Sequence, residues 1–492
     1  MNRHVIVRIL RQLALLHRLW QGFAFLTLLS CMHGTAWAQP DSSWSRTYGR
    51  YGDAWGISLR QTGDGGFITA GNILDGMDWN FWLLKTDANG DSEWCRSFGM
   101  GRYGGGGYVS MTADGGYILA GSYYAVPDRD MYLVRVSAAG DSLWSHRYRG
   151  SSDDYCRVAE QTSDGGFFLA GYRAANAQSQ QGLLLKTDAQ GDSLWSVLIG
   201  PGGFTDGHQT PDGGYILAGE TSGSAPPSDF WLVKTDFVGN VLWQHTYGGV
   251  GDDYWPAIQL TADGGYVLVG TTASFGAGGQ DVWVLRTDAQ GDSLWSRTFG
   301  GAQTDRSHAV QLTADGGLVI GAHTNSFGAG SDDFWLIRTG ANGDSLWSRT
   351  FGTANGEWCN DVAVTGDGGF AMFGGESLPG SHQQVYLVRT ARDPSLSAPP
   401  SFFLPPSSIT LSNYPNPFNS STWITFDVPK SGNMAVKVYD VLGRQVAVLK
   451  DGQLPAGSHR MLFDGSGLAS GVYVVRLEAN ETSRTQKVVL LK

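Results

Sequence analysis

The 492-residue chain carries 70 glycines and 18 tryptophans but only 16% charged residues, a mixture suited to many short strands and tight turns, not to helices or disorder. A formal net charge of −11, with no long block of Lys or Arg, excludes a nucleic-acid binder, which needs a basic face to displace counterions, and an anionic membrane surface as partner. The length suits one large β domain and a small one.

The chain opens with Arg3, Arg8, Arg11 and Arg18, followed by the uncharged stretch LWQGFAFLTLLSCMHGTAWA, which ends in Ala36-Trp37-Ala38. Residues 1–38 are expected to be a secretory signal cleaved before Gln39, with a lipoprotein signal modified on Cys31 as the alternative. No later apolar run is long enough to span a bilayer. Cys95, Cys156 and Cys359 have no pair or metal spacing and are expected to be small buried hydrophobes.

From residue 39 to 392 one phrase recurs. Asp-Gly-Gly begins at Asp64, Asp114, Asp164, Asp212, Asp263, Asp315 and Asp367, at intervals of 48 to 52 residues, the signature of a repeat architecture. Each period holds four strand candidates; in the fifth they are YWPAIQLT, GGYVLVGTT, DVWVLRTD and SLWSRTFG. Asp-Gly-Gly and the DAQGD type of segment supply the turns, because glycine provides the positive φ they require. Four strands in about fifty residues describe a propeller blade.

A tryptophan strand closes six periods, at Trp94, Trp144, Trp195, Trp243, Trp295 and Trp347, but the seventh runs into a proline-rich segment without one. The missing copy, DSSWSRTYG with Trp44, stands at the start of the repeat region. The expectation is a seven-bladed, all-β propeller closed by its N-terminal strand, since an open array would leave a hazardous exposed edge. The repeated Trp is expected to wedge between neighbouring sheets, each contributing about 2–4 kcal/mol. The TDAQGDSLW phrase resembles the tryptophan-docking repeat of quinoprotein-type propellers, a likeness that implies blade packing and no cofactor.

Candidate chemistry lies where each blade begins. Asp53, Asp153, Asp154, Asp252, Asp253, Asp305 and Glu357 all precede the Asp-Gly-Gly aspartate of their blade by ten or eleven residues, and a ring would gather them at one channel mouth. They read either as an acidic funnel for a cation, an amine or a sugar, or as aspartates hydrogen-bonded to their own loops. Blades two (Tyr103, Gly104) and four (GPGGFTDGHQT) depart from the pattern. Trp55, Tyr155, Trp255 and Trp358 add rings suited to stacking on carbohydrate. Asp87, Asn89 and Asp91 match half of a calcium loop, but Ser92 and Phe98 stand where its glycine and last ligand belong, so an Asp-capped turn is expected. No G-x-S-x-G, P-loop, H-E-x-x-H or dinucleotide fingerprint occurs. No catalytic residue, metal ligand or cofactor is assigned.

After a Pro/Ser-rich linker (393–410), residues 411–492 lose the period and show short alternating strands, read as a small β-sandwich. The phrases NYPNPFNSSTWITFDVP, VKVYDVLGRQVAVL, LPAGSHRMLFDGSGLASGVYVVRL and KVVLLK resemble the type A sorting domain of type IX secretion cargo. The resemblance implies a Gram-negative cell, export through the periplasm by the type IX machinery, and release or attachment at the surface. The expected function is a binding or adhesion module for a glycan or protein. The alternative is a carbohydrate-active hydrolase or lyase using channel-mouth carboxylates, and a structural surface-layer role comes third.

Overall fold

The computed structural model describes residues 42–395 and 410–491, apart from 50–52, 76–77, 100–104, 126–127, 177–178, 223–226, 379, 381, 415, 417, 429–431, 455–456 and 480–481. The expected signal segment with Cys31, most of the linker, and Tyr103 and Gly104 lie outside the described residues. Every regular element among them is a strand, and no helix is long and apolar enough to cross a membrane. Two compact units divide at Ser395.

The first unit contains seven four-stranded antiparallel sheets. Six are continuous in sequence: blades 1 to 6 occupy residues 54–99, 105–148, 153–199, 202–247, 253–299 and 305–351. The seventh joins residues 357–390 to the strand Ser42–Tyr48, which pairs antiparallel with His382–Thr390 and sets Trp44 opposite Arg389. The first strand of each blade touches the first strand of the next, and Glu357–Val364 of blade 7 touches Ala54–Gln61 of blade 1, so the ring closes. Each blade is covered on both sides, and its second and third strands are accordingly apolar on both faces: Phe334, Trp335, Leu336 and Ile337 are all buried.

The tryptophans hold neighbouring sheets together. Trp44 of blade 7 meets Phe67 of blade 1 edge-on at 5.9 Å, and Trp144 meets Phe167 of the next blade at 5.7 Å. Each ring also covers the turn glycine of the next blade. Gly90 has φ +80°, and a Cβ there would lie 2.7 Å from the Trp44 ring. Two constraints therefore require glycine in this turn: positive φ and direct contact with the indole. Trp347 of blade 6 has no such turn to cover. Its Nε1 donates to Asp393 (3.0 Å), which also pairs with the buried Arg338 at 2.8 Å. The sequence reading begins the linker at residue 393; the structure keeps 393–395 with the propeller, because Asp393 fills this last junction. Cys156 and Cys359 are buried as expected, whereas Cys95 is exposed on the outermost strand of blade 1.

The second unit packs a three-stranded sheet against a four-stranded one. Ile424, Phe426 and Phe463 from the first meet Val436, Val438, Val475 and Leu477 from the second in one core, a face-to-face sandwich.

Candidate functional site

All seven first strands start at the same end of the ring, so their opening residues surround one channel mouth. The carboxylates among them are committed to the scaffold. Asp53, Asp153 and Asp252 do the same work in three blades: their Oδ1 atoms accept the backbone N–H of Gln383, Arg129 and Ser228, each beside the third strand of the preceding blade. Asp154 is buried against Arg173 at 2.7 Å. Asp253 accepts from Gly249 N and Ser274 Oγ, Asp305 from Gly301 N and Ser326 Oγ, and Glu357 from Thr353 N and Oγ1. These last three are buried. Asp87 likewise accepts from the backbone N–H of Asn89 and Asp91 at 2.8 Å and closes its own turn.

Of the aromatic residues, Trp55 and Trp255 are exposed and Tyr155 and Trp358 are half-buried. Trp55 is 44% exposed and leans on Trp79, with ring centroids 5.6 Å apart. Tyr155 stacks on Tyr172 at 4.6 Å, with the Arg129 guanidinium over its other face at 5.0 Å. Trp358 is half-buried, its ring against Gly375.

Trp255 differs from all of these. Counted back from the Asp-Gly-Gly aspartate, it aligns with Gly56, Cys156, Ser307 and Cys359, all buried; its neighbour Tyr254 aligns with Trp55, Tyr155 and Trp358. Yet Trp255 is 42% exposed. Among the described non-glycine residues it alone has positive φ (57°), and this conformation turns the indole outward. A bulge explains the local freedom: the ladder skips Trp255 and Pro256, as it skips Ile57, Arg157, Thr205, His308 and Asn360 in other blades. Bulges re-aim side chains. Trp255 N donates to Glu220 Oε1 (3.0 Å), which fixes the strained residue.

A stack continues inward from Trp255. Its ring lies 4.9 Å from His308, and His308 lies parallel to His323 at 5.6 Å. Burial, reinforced by Arg306, lowers His308 to about 4, and burial with neighbouring His308 lowers His323 to about 3, so both are neutral imidazoles at pH 7. Burial raises the Glu220 carboxyl, opposed by the N–H of Trp255. Arg157 reaches the hydroxyls of Tyr108 (3.3 Å) and Tyr172 (3.5 Å) and adds a fixed cation. Deeper in, His208 bonds Glu160 at 2.8 Å and Arg60 pairs with Asp361 at 2.9 Å. Sequence spacing had no means of finding Glu220, Arg157, His308 or His323, because they come from three different blades and become neighbours only in the closed ring.

Among the described residues no group of three or more His, Cys, Asp or Glu side chains could hold a metal ion. Aromatic faces, a guanidinium, a carboxyl and neutral imidazoles suit a ligand with flat apolar faces and many hydroxyls.

Residues 412–491 match the family described as the secretion system C-terminal sorting domain. This domain marks the chain as type IX cargo, exported to the cell surface or the medium, and implies contact with that machinery. A 98-residue stretch is 33% identical to the regulatory protein FlaEY of Caulobacter vibrioides; it covers 18% of this chain and only 10% of that protein. Among solved structures, the Pan2 WD40 domain of Neurospora crassa has a TM-score of 0.45 at 12% identity, covering 73% of this chain and 97% of that one. Sqt1 of Chaetomium thermophilum has 0.43 at 13%, covering 72% and 89%. The polysaccharide lyase Uly1 has 0.45 at 12%, covering 74% and 94%.

Proposed function

We propose that the exported propeller is a non-catalytic recognition module that binds a carbohydrate at the channel mouth. The observation that carries this reading is Trp255, a large apolar ring kept in a left-handed backbone conformation and exposed at the mouth. Such strain costs about 1–3 kcal/mol and persists where the exposed side chain has work to do. Trp55 provides a further stacking face, while Glu220 and Arg157 offer an acceptor and a donor for hydroxyls. The carboxylates of the same loops act as braces that hold these rings.

The test is a glycan-array screen of the full chain, followed by titration of the retained glycan. Trp255→Ala and Trp55→Ala are each expected to weaken binding by about ten-fold or more, the loss of one stacking contact of about 1.4 kcal/mol. Unchanged affinity in both variants defeats the reading. A second reading, a carbohydrate-active hydrolase or lyase, is favoured by the raised carboxyl of Glu220, which suits a general acid. Release of new chain ends from the retained glycan, abolished in Glu220→Gln, would establish it.

A further inference from the structure

Buried carboxylate pairs recur where one blade meets the next. Between blades 2 and 3, Asp130 and Asp154 flank Gly150, both 2% exposed. Two arginines neutralise them: Arg147 pairs with Asp130, and Arg173 with Asp154 at 2.7 Å. Two negative charges meet two positive ones.

The equivalent pairs further round the ring have no such partners. Between blades 4 and 5, Asp229 Oδ1 and Asp253 Oδ2 lie 1.9 and 2.7 Å from the place a Cβ on Gly248 would take. Between blades 5 and 6, Asp281 Oδ1 and Asp305 Oδ2 lie 1.6 and 2.9 Å from that place on Gly300. Strand register identifies what replaced the arginines. Arg147 pairs across the ladder with Tyr132, Thr246 with Trp231 and Thr298 with Trp283. Arg173 stands opposite Asp154, Thr272 opposite Asp253 and Thr324 opposite Asp305. Each arginine position therefore holds a threonine at both junctions.

Three carboxylate oxygens are left without a hydrogen-bond partner in buried positions: Asp229 Oδ1, Asp253 Oδ1 and Asp281 Oδ1. Asp253 is 0% and Asp281 1% exposed. Burial raises the Asp229 carboxyl, and the neighbouring charges acting on it are Asp253 and Asp252; for Asp281, also raised by burial, the neighbouring charge is Asp305. Asp333 and Glu357 flank Gly352 in the same way between blades 6 and 7. Among the described residues, however, only the two junctions at Gly248 and Gly300 keep carboxylate oxygens with no hydrogen-bond partner. An uncompensated buried carboxylate pair is costly, and these two need a counter-charge.

We infer that each of these two junctions binds one calcium ion, with Asp229 and Asp253 as the carboxylate ligands of the first site and Asp281 and Asp305 of the second. One divalent cation supplies the charge that two arginines supply between blades 2 and 3. Calcium takes hard oxygen ligands, carboxylates first, and tolerates the irregular geometry of loops that magnesium refuses. Extracellular calcium modules work at dissociation constants of about 0.1–1 mM, suited to an exported protein.

The test uses the full chain, stripped with a chelator and titrated with calcium chloride. Calorimetry should detect two sites, and 5 mM calcium should raise the melting temperature by about 2–6 °C. Asp229→Asn combined with Asp281→Asn should abolish both effects. Thr246→Arg with Thr272→Arg rebuilds the arginine arrangement between blades 4 and 5; it should remove one site and raise calcium-free stability. Should those arginines prevent folding, terbium luminescence of the wild-type chain, displaced by calcium and absent in the Asn variant, decides the matter. The inference is overturned if 10 mM calcium leaves the melting temperature unchanged while stability rises from pH 7 to pH 5, for then each pair shares a proton. Retention of the calcium shift in the Asn variant overturns it equally.

Discussion

The two faces of the propeller ring follow different rules. On the turn face every blade repeats the same arrangement. The Asp-Gly-Gly aspartate accepts a threonine hydroxyl two residues earlier, from Thr62 in blade 1 to Thr365 in blade 7, and pairs with a cation of the third strand, from Lys85 to Arg389. On the mouth face the equivalent positions hold Trp55, Tyr155, Tyr254, Arg306 and Trp358, and the junctions behind them are neutralised by arginines in one place and not in others. Uniformity marks the face where packing leaves one solution, since every indole except Trp347 must seat on the next blade's turn. Variation marks the face where packing is already satisfied and side chains are free to meet a ligand.

The largest disruption should come from the closing strand. Deleting residues 42–48 removes Trp44 and exposes the edge of His382–Thr390, and the propeller should lose cooperative unfolding or melt many degrees lower by calorimetry. An unchanged melting curve would contradict the closed ring. Next is Asp393→Ala, which strips one carboxylate from the fully buried Arg338 and leaves Trp347 Nε1 unpaired. A loss of about 3–5 kcal/mol in urea unfolding is expected. Gly90→Ala, in the turn face, should cost about 1–3 kcal/mol from positive φ and the Trp44 contact together.

A pH experiment probes the channel between the faces. Glu160 and Asp206 outweigh the burial penalty and raise His208 to about 9, so its folded pKa exceeds the unfolded value near 6.5. Its stabilisation is full below about pH 6.5 and is lost as pH rises through 9; unfolding free energy should fall across that window, and less so in His208→Gln. The smallest effect sharpens the comparison most. Trp255→Gly on the mouth face should change stability by no more than about 1 kcal/mol, because relief of positive φ offsets the lost contacts, while glycan binding weakens by about ten-fold or more. A glycine loss in one turn would then cost stability, and a glycine gain at the mouth would cost binding instead.

Much of the fold was legible in the chain. Seven Asp-Gly-Gly phrases, six matching tryptophan strands and a displaced seventh at Trp44 led directly to sheets, turns and the joining of the two ends. The site was legible only in part. Trp55, Tyr155 and Trp358 were placed by their spacing, but Trp255 was grouped with them although its register belongs to the buried set; a backbone angle put it at the surface. The carboxylates at the mouth had two readings, and spacing has no way to choose between them, because it does not reveal whether Gly249 N or solvent meets Asp253.

The sequence by itself determined the repeat, the strand count per blade, the closure and the exported status given by residues 412–491, because each depends on local periodicity or on a contiguous motif. Only the tertiary structure decided which mouth residues are free, which carboxylates are braces and which pairs lack a counter-charge. Those properties belong to atoms brought together from neighbouring blades about fifty residues apart, and burial and hydrogen bonding exist only once the ring has closed.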